Sequence, residues 1–133
     1  MISAPFAASD SRTLLLDANT EQSGWLMEQL NRAGFRTDFA MSWSAARAAL
    51  GANYYHSCVV IADLEQAVQL ERLDELRRAV PRVWIIVLND SPSAAAPTLL
   101  HPQGIDAVLS TPFSVQDLTS RLAAFSLRAR PSS

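Results

Sequence analysis

No lysine occurs anywhere in this chain; all eleven cationic side chains are arginine, so chemistry that needs an ammonium group must draw it from a partner. The single cysteine, Cys58, rules out an internal disulfide, and its place in an apolar run makes it a small core residue. Four glycines are present, none of them in a Gly-x-Gly-x-x-Gly or phosphate-cradling loop, which leaves a nucleotide binder or small flavodoxin-like enzyme without support. The two histidines, His56 and His101, lie far apart without metal-ligand spacing and read as surface residues. A Gly-x-Ser-x-Gly elbow is missing, which argues against a hydrolase. Neither a membrane-length apolar run nor the basic start of a signal peptide occurs, so the expected compartment is the cytoplasm, with no membrane partner. A net charge of -2 and a pI near 5.6 argue against direct nucleic-acid binding, which depends on clustered cations.

What is present describes one compact domain: 133 residues, 49% hydrophobic and 18% charged, enough to bury a core without disulfides or metal. Residues 1–11 read as a flexible leader, 12–128 as the domain, and 129–133 as a frayed tail or the start of a linker. The pattern is organised around Cys58-Val59-Val60-Ile61-Ala62-Asp63, a short run of mostly β-branched residues that ends on a carboxylate. Such a run reads as a strand buried on both faces of a parallel sheet, with its final acid in the crevice beyond the strand tips. Thr13 to Asp17 and Val83 to Asp90 have the same form, so Asp17, Asp63, Asn89 and Asp90 are expected on one rim.

Between these runs the period changes to helical. A helix capped by Thr20 carries Trp25, Leu26, Met27, Leu30 and Ala33 on its apolar stripe and stops at Gly34. Phe35 to Ala40 alternates as an edge strand does, and Ser42 or Ser44 caps an alanine-rich helix over Ala45 to Leu50. Val68, Leu70, Leu73, Leu76 and Val80 line the next helix, with Glu71, Arg72, Asp74, Glu75, Arg77 and Arg78 on its polar face. A helix opened by Ser91 is expected to be short or broken, because Pro97 and Pro102 fall in its body. A fifth strand, Ala107 to Ser110, precedes a last helix capped by Ser114, with Leu118, Leu122, Phe125 and Leu127 facing inward. Trp25, Trp43 and Trp84 are assigned to packing. Five strands alternating with about five helices specify an α/β fold, a doubly wound five-stranded parallel sheet with helices on both faces.

This arrangement resembles the receiver domain of two-component response regulators, the CheY-like superfamily, over Arg12 to Arg128. Leu14-Leu15-Leu16-Asp17 is similar to the family's first strand, Val59 to Asp63 to its third strand with the phosphoacceptor aspartate, and Ile85 to Asn89 to its fourth. Gly104 to Phe113 is similar to the segment that normally reads Gly-Ala-x-x-Tyr-Leu-x-Lys-Pro-Phe. The resemblance implies strand order 2-1-3-4-5 and makes Asp63 the candidate phosphoacceptor, with Asp17 and Asp63 as Mg2+ candidates.

The remaining functional positions depart from the family pattern. Ala18 stands where the second acid of the pair binds the metal, so any Mg2+ site is expected to be weak. Thr111 stands in place of the lysine that pairs with the phosphoryl group, Asn89 in place of the switch hydroxyl, and Val108 in place of the switch aromatic. The proline and Asp-Gly turn usual after the phosphoacceptor are missing between Leu64 and Val80. These departures point to a degenerate, or pseudo-receiver, domain: a non-enzymatic module of two-component-type signalling that binds a protein partner with weak or no dependence on phosphorylation. The partner would be a histidine kinase, a phosphotransfer protein or an output protein. A homodimer through the face of the fifth strand and its flanking helices is a further expectation. The alternative is a working receiver phosphorylated on Asp63, and a third reading makes Asp63 a strand-end carboxylate that bonds to the amides of its own loop.

Overall fold

The computed structural model describes residues 12–17, 23–90, 104–110 and 112–127. Its elements are β1 (Thr13–Asp17), α1 (Ser23–Arg32), β2 (Thr37–Ala40), α2 (Trp43–Ala52), β3 (Ser57–Ala62), α3 (Ala67–Ala79), β4 (Trp84–Asn89), β5 (Ala107–Ser110) and α4 (Val115–Ser126). The strands form one parallel sheet in the order β2-β1-β3-β4-β5, as expected. Every residue of β1, β3 and β4 is buried, because helices cover both faces of these three inner strands. The expected leader and tail, the helix opened by Ser91 with Pro97 and Pro102, the Thr20 cap and His101 all lie outside the described residues.

Strand pleating divides the core into two layers. Leu14, Leu16, Cys58, Val60, Ile85 and Val87 point to the side covered by Ala46 and Leu50 of α2 and Leu73 and Leu76 of α3. Leu15, Val59, Ile61, Ile86 and Leu88 point to the side covered by Leu26 and Leu30 of α1 and Leu118, Leu122 and Phe125 of α4. In the second layer the rings of Trp84 and Phe125 stack with centroids 4.1 Å apart and planes 4° from parallel. Cys58 is fully buried, and that burial pushes its thiol pKa up to about 12, consistent with an inert core residue.

The capping signals are those the residues specify. Ser42 Oγ accepts from Ala45 N–H, and Ser114 Oγ accepts from Asp117 N–H. Choosing Ser42 starts α2 at Trp43, two residues before the helix expected from Ala45. Gly34 follows α1 with φ of +99°, a left-handed conformation that glycine adopts without penalty.

Several side chains fall elsewhere than the pattern places them. Trp25, Val68 and Leu127 are exposed, by 53%, 62% and 74%, so these three do not belong to the core. Each lies near a helix end and well around the helix from buried residues such as Leu26 and Leu30 in α1, Leu73 and Arg77 in α3, and Leu118 and Leu122 in α4. His56 is buried rather than at the surface: its N–H donates to Arg12 O and its carbonyl accepts from Trp84 N–H, which draws it into the sheet just before β3.

Arg77 is the largest departure: its charge assigns it to the polar face, but it follows Leu73 by four residues and is buried on the same side of α3. Its guanidinium donates to the carbonyls of Gly104, Val80 and Val83 at 2.9, 2.6 and 2.6 Å and to Asp106 Oδ2 at 3.3 Å. Asp106 Oδ2 in turn accepts from Ile85 N–H, so one arginine joins the end of α3 to the starts of β4 and β5. Gly104, with φ of +83°, leaves room for it: a Cβ there would lie 2.8 Å from Arg77 Cγ and Cδ.

At the opposite edge Asp38 Oδ2 accepts from Tyr55 Oη at 2.6 Å and from Arg12 at 3.0 Å, with the Arg12 guanidinium over the Tyr55 ring. The hydrogen bond from Tyr55, aided by Arg12, holds the Asp38 carboxyl below its ordinary value against the opposing effect of burial. Burial, and then the bond to Asp38, push the Tyr55 phenol up to about 12.

Two outcomes follow from this architecture. Arg77→Leu removes the guanidinium bonds to three carbonyls and Asp106, and urea denaturation should show a loss of roughly 3–5 kcal/mol. For Tyr55 the folded pKa is raised above the unfolded one, so its contribution is complete below pH 10 and is lost as pH rises toward about 12. Tyrosinate absorbance of the Tyr54→Phe variant should therefore titrate late, and Tyr55→Phe should remove the alkaline part of the stability profile.

Candidate functional site

Parallel register sets the rim. Asp17, the last residue of β1, pairs with Ile61, and Asn89, the last residue of β4, pairs with Ala62, so Asp63 leaves β3 between them. Asp90 follows directly, its N–H donating to Ala62 O. Asp17, Asp63 and Asp90 line one cavity of about 300 Å³ at this end of the sheet, together with Gln69 of α3 and Trp43 at the start of α2. The four residues expected on one rim are thus brought together. Asp17 and Asn89 are buried, Asp63 and Asp90 half-buried.

Asp63 is turned back on its own loop. Oδ1 accepts from Glu65 N–H at 3.0 Å and Oδ2 from the Gln66 side-chain amide at 3.3 Å. This is the local side chain to backbone pattern that aspartate offers at strand and helix ends. The backbone N–H of Asp63 donates to Gln69 Oε1 at 2.8 Å. The third reading of Asp63, a carboxylate bonded to loop amides, describes this geometry.

Asn89 does comparable work from the neighbouring strand. Its Oδ1 accepts from Leu64 N–H at 3.1 Å, tying the loop after β3 to the end of β4. A serine or threonine hydroxyl is too short to span that gap in the same way, so the amide at this position holds the loop. Val108 is half-buried in β5, packed against the layer that contains Val60 and Val87. Ala18 and Thr111 lie outside the described residues. Gln66, Gln69 and Trp43 were not among the expected site residues; the signal for the glutamines was their place three and six residues after Asp63, on the first turn of α3.

Mg2+ takes near-octahedral oxygen ligands at about 2.0–2.1 Å, usually one or two carboxylates with phosphate and water. The donors here are poorly arranged for it, since a metal at Asp63 would compete with the loop donors for its lone pairs. Both Asp63 oxygens are engaged by loop donors, and among the described residues no three His, Cys, Asp or Glu side chains are grouped to hold a metal ion.

Comparison with known proteins bears on the fold. The receiver domain of the Francisella response regulator 1452 superposes with a TM-score of 0.71 over 88% of this chain and 97% of that one, at 21% identity. This chain has the receiver-domain fold. A structure described as an atypical orphan response regulator with a phosphorylation-independent regulatory mechanism gives a TM-score of 0.63 over 87% of this chain and 95% of that one, at 23% identity. In sequence, the photosynthetic apparatus regulatory protein RegA of Rhodobacter capsulatus is 28% identical over 116 residues. That match takes in 87% of this chain but 63% of RegA, so this chain spans less than two thirds of that relative. No protein-family model matches the chain.

The Leu64 N–H bond to Asn89 Oδ1 predicts that this amide stabilises the loop. Asn89→Leu leaves the Leu64 N–H buried without a partner, at a cost of about 1–3 kcal/mol. Thermal unfolding should show that loss, with faster amide exchange at Leu64 than elsewhere in the β3–α3 loop.

Proposed function

We propose that this chain is a receiver-like signalling module that acts by binding another protein, with an output independent, or nearly independent, of phosphorylation at Asp63. The observation that supports this reading most directly is the engagement of both Asp63 carboxylate oxygens by Glu65 N–H and Gln66. Attack on a phosphoryl group would have to compete with these bonds for the lone pairs of Asp63, and needs cationic or hydrogen-bonding groups aimed at the transferring phosphoryl. Here the acid beside Asp17 is replaced by Ala18, and the lysine position is Thr111 in a chain without lysine. The phosphorylation-independent mechanism named for the atypical orphan regulator is proposed for this chain on the same fold.

The module carries no reaction of its own, and its partner is a histidine kinase, a phosphotransfer protein or an output protein. No described helix is long and apolar enough to cross a membrane, in keeping with a cytoplasmic role. The face around β5 and α4 would serve for that partner or for a second copy of the chain. Val108 in place of a mobile aromatic makes that face a fixed surface rather than a switched one.

One observation favours a second reading. The three carboxylates Asp17, Asp63 and Asp90 line a common cavity, as a working phosphoacceptor site would need. Intact-mass analysis after incubation with Mg2+ and phosphoramidate or acetyl phosphate separates the two, with Asp63→Ala as control. No adduct is expected under conditions that label an ordinary receiver; an added phosphoryl mass that disappears in Asp63→Ala would establish the second reading instead.

A further inference from the structure

The loop after β3 is held from both ends by two glutamines of one helix. Gln66 is the N-cap residue of α3, yet its side chain makes no capping bond; its amide is directed to Asp63 Oδ2 instead. Gln69, one turn on, accepts from the Asp63 N–H and lines the same cavity as the Asp63 side chain. The backbone closes the same loop, with Gln66 N–H donating to Asp63 O and Gln69 N–H donating to Gln66 O. One glutamine therefore fixes the acidic end of Asp63 and the other its peptide.

A carboxylate in this position without a cation beside it would ordinarily recruit one. Here the Gln66 amide donates to one carboxylate oxygen and the Glu65 N–H to the other, and Gln69 accepts from the Asp63 N–H. A hydrogen bond to a charged group opposes such a ligand by about tenfold or more in affinity. The missing acid and ammonium are then only part of what separates this site from an ordinary receiver.

We propose that Gln66 and Gln69 are positioning residues that hold Asp63 closed on its own loop and so keep external ligands off its carboxylate. The inference rests on the reading of Asp63 as a carboxylate that is not phosphorylated, and it names what enforces that state. Methionine matches glutamine in length and volume without its polar end, so Gln66→Met with Gln69→Met removes the hold and keeps the packing.

The probe is Mn2+ alone, titrated against the full chain in a Trp25→Phe background and followed by paramagnetic quenching of Trp43, which lines the cavity, with Trp84 at the opposite end of β4 as the unquenched background. The double variant should bind Mn2+ at least about tenfold more tightly than the unaltered loop, and adding Asp63→Asn should abolish the gain. Gln116→Met, an exposed glutamine in the first turn of α4, should leave the affinity unchanged. Equal affinity in the double variant, or a gain that survives Asp63→Asn, overturns the proposal. Should the double variant fail to fold, Gln66→Met alone, at an exposed position, must still tighten binding or the proposal is lost. Unchanged Mn2+ affinity sinks this inference alone, whereas an Asp63-dependent phosphoryl adduct on the wild-type chain sinks it together with the reading on which it rests.

Discussion

The parallel register of β1, β3 and β4 is the constraint from which the rest follows. Because Asp17 lies beside Ile61 and Ala62 beside Asn89, the three strands end level, and their terminal polar residues have to share one crevice. A slip of one residue in any of them would exchange the two faces and bury the wrong side chains. The apolar layers on both faces make such a slip costly, so the crevice is as well defined as the core beneath it. Its chemistry is set afterwards, by which polar groups occupy the rim and how they pair.

In this chain the rim pairs internally. Asn89 reaches the Leu64 N–H, and Asp63 folds onto Glu65 and Gln66, so donors and acceptors that a signalling site would present outward are matched within the loop. Asp63 and Asn89 are thus both bonded to the loop after β3. Arg77 has the corresponding role at the far end of the sheet, gathering carbonyls from the α3–β4 connection and the approach to β5. Both ends of the inner sheet are thus closed by side chain to backbone bonds.

Much of this could be read from the residues. The buried strands announced themselves as short β-branched runs ending in acids, and their alternation with helical periods was enough for the sheet order once the receiver resemblance was drawn. Asp17, Asp63, Asn89 and Asp90 were placed together correctly because strand ends in a parallel sheet converge. The misplacements have a common origin in residue type, which was followed where the helical phase pointed the other way. Trp25, Val68 and Leu127 are apolar but out of phase: at about 100° per residue each lies roughly opposite the buried Leu26 and Leu30, Leu73 and Arg77, or Leu118 and Leu122 of its helix. Arg77 was read by its charge, while its burial depends on Gly104 and Asp106, residues distant in sequence that a one-dimensional pattern does not bring to it. The loop bonds of Asp63 were open to a reading as local chemistry, whereas the choice between that and an outward-facing acid depended on two glutamines with no period to mark them.

The fit between Gly104 and Arg77 also bears on how this chain can drift in sequence. A side chain at 104 collides with the stem of Arg77, and its backbone there is already in a conformation that other residues resist. Shortening Arg77 first clears the space but removes the guanidinium bonds to the carbonyls of Gly104, Val80 and Val83. Neither single step is neutral, so the two positions are bound into one inherited unit, and this corner of the molecule is closed to stepwise replacement while its exposed helix faces remain open to it.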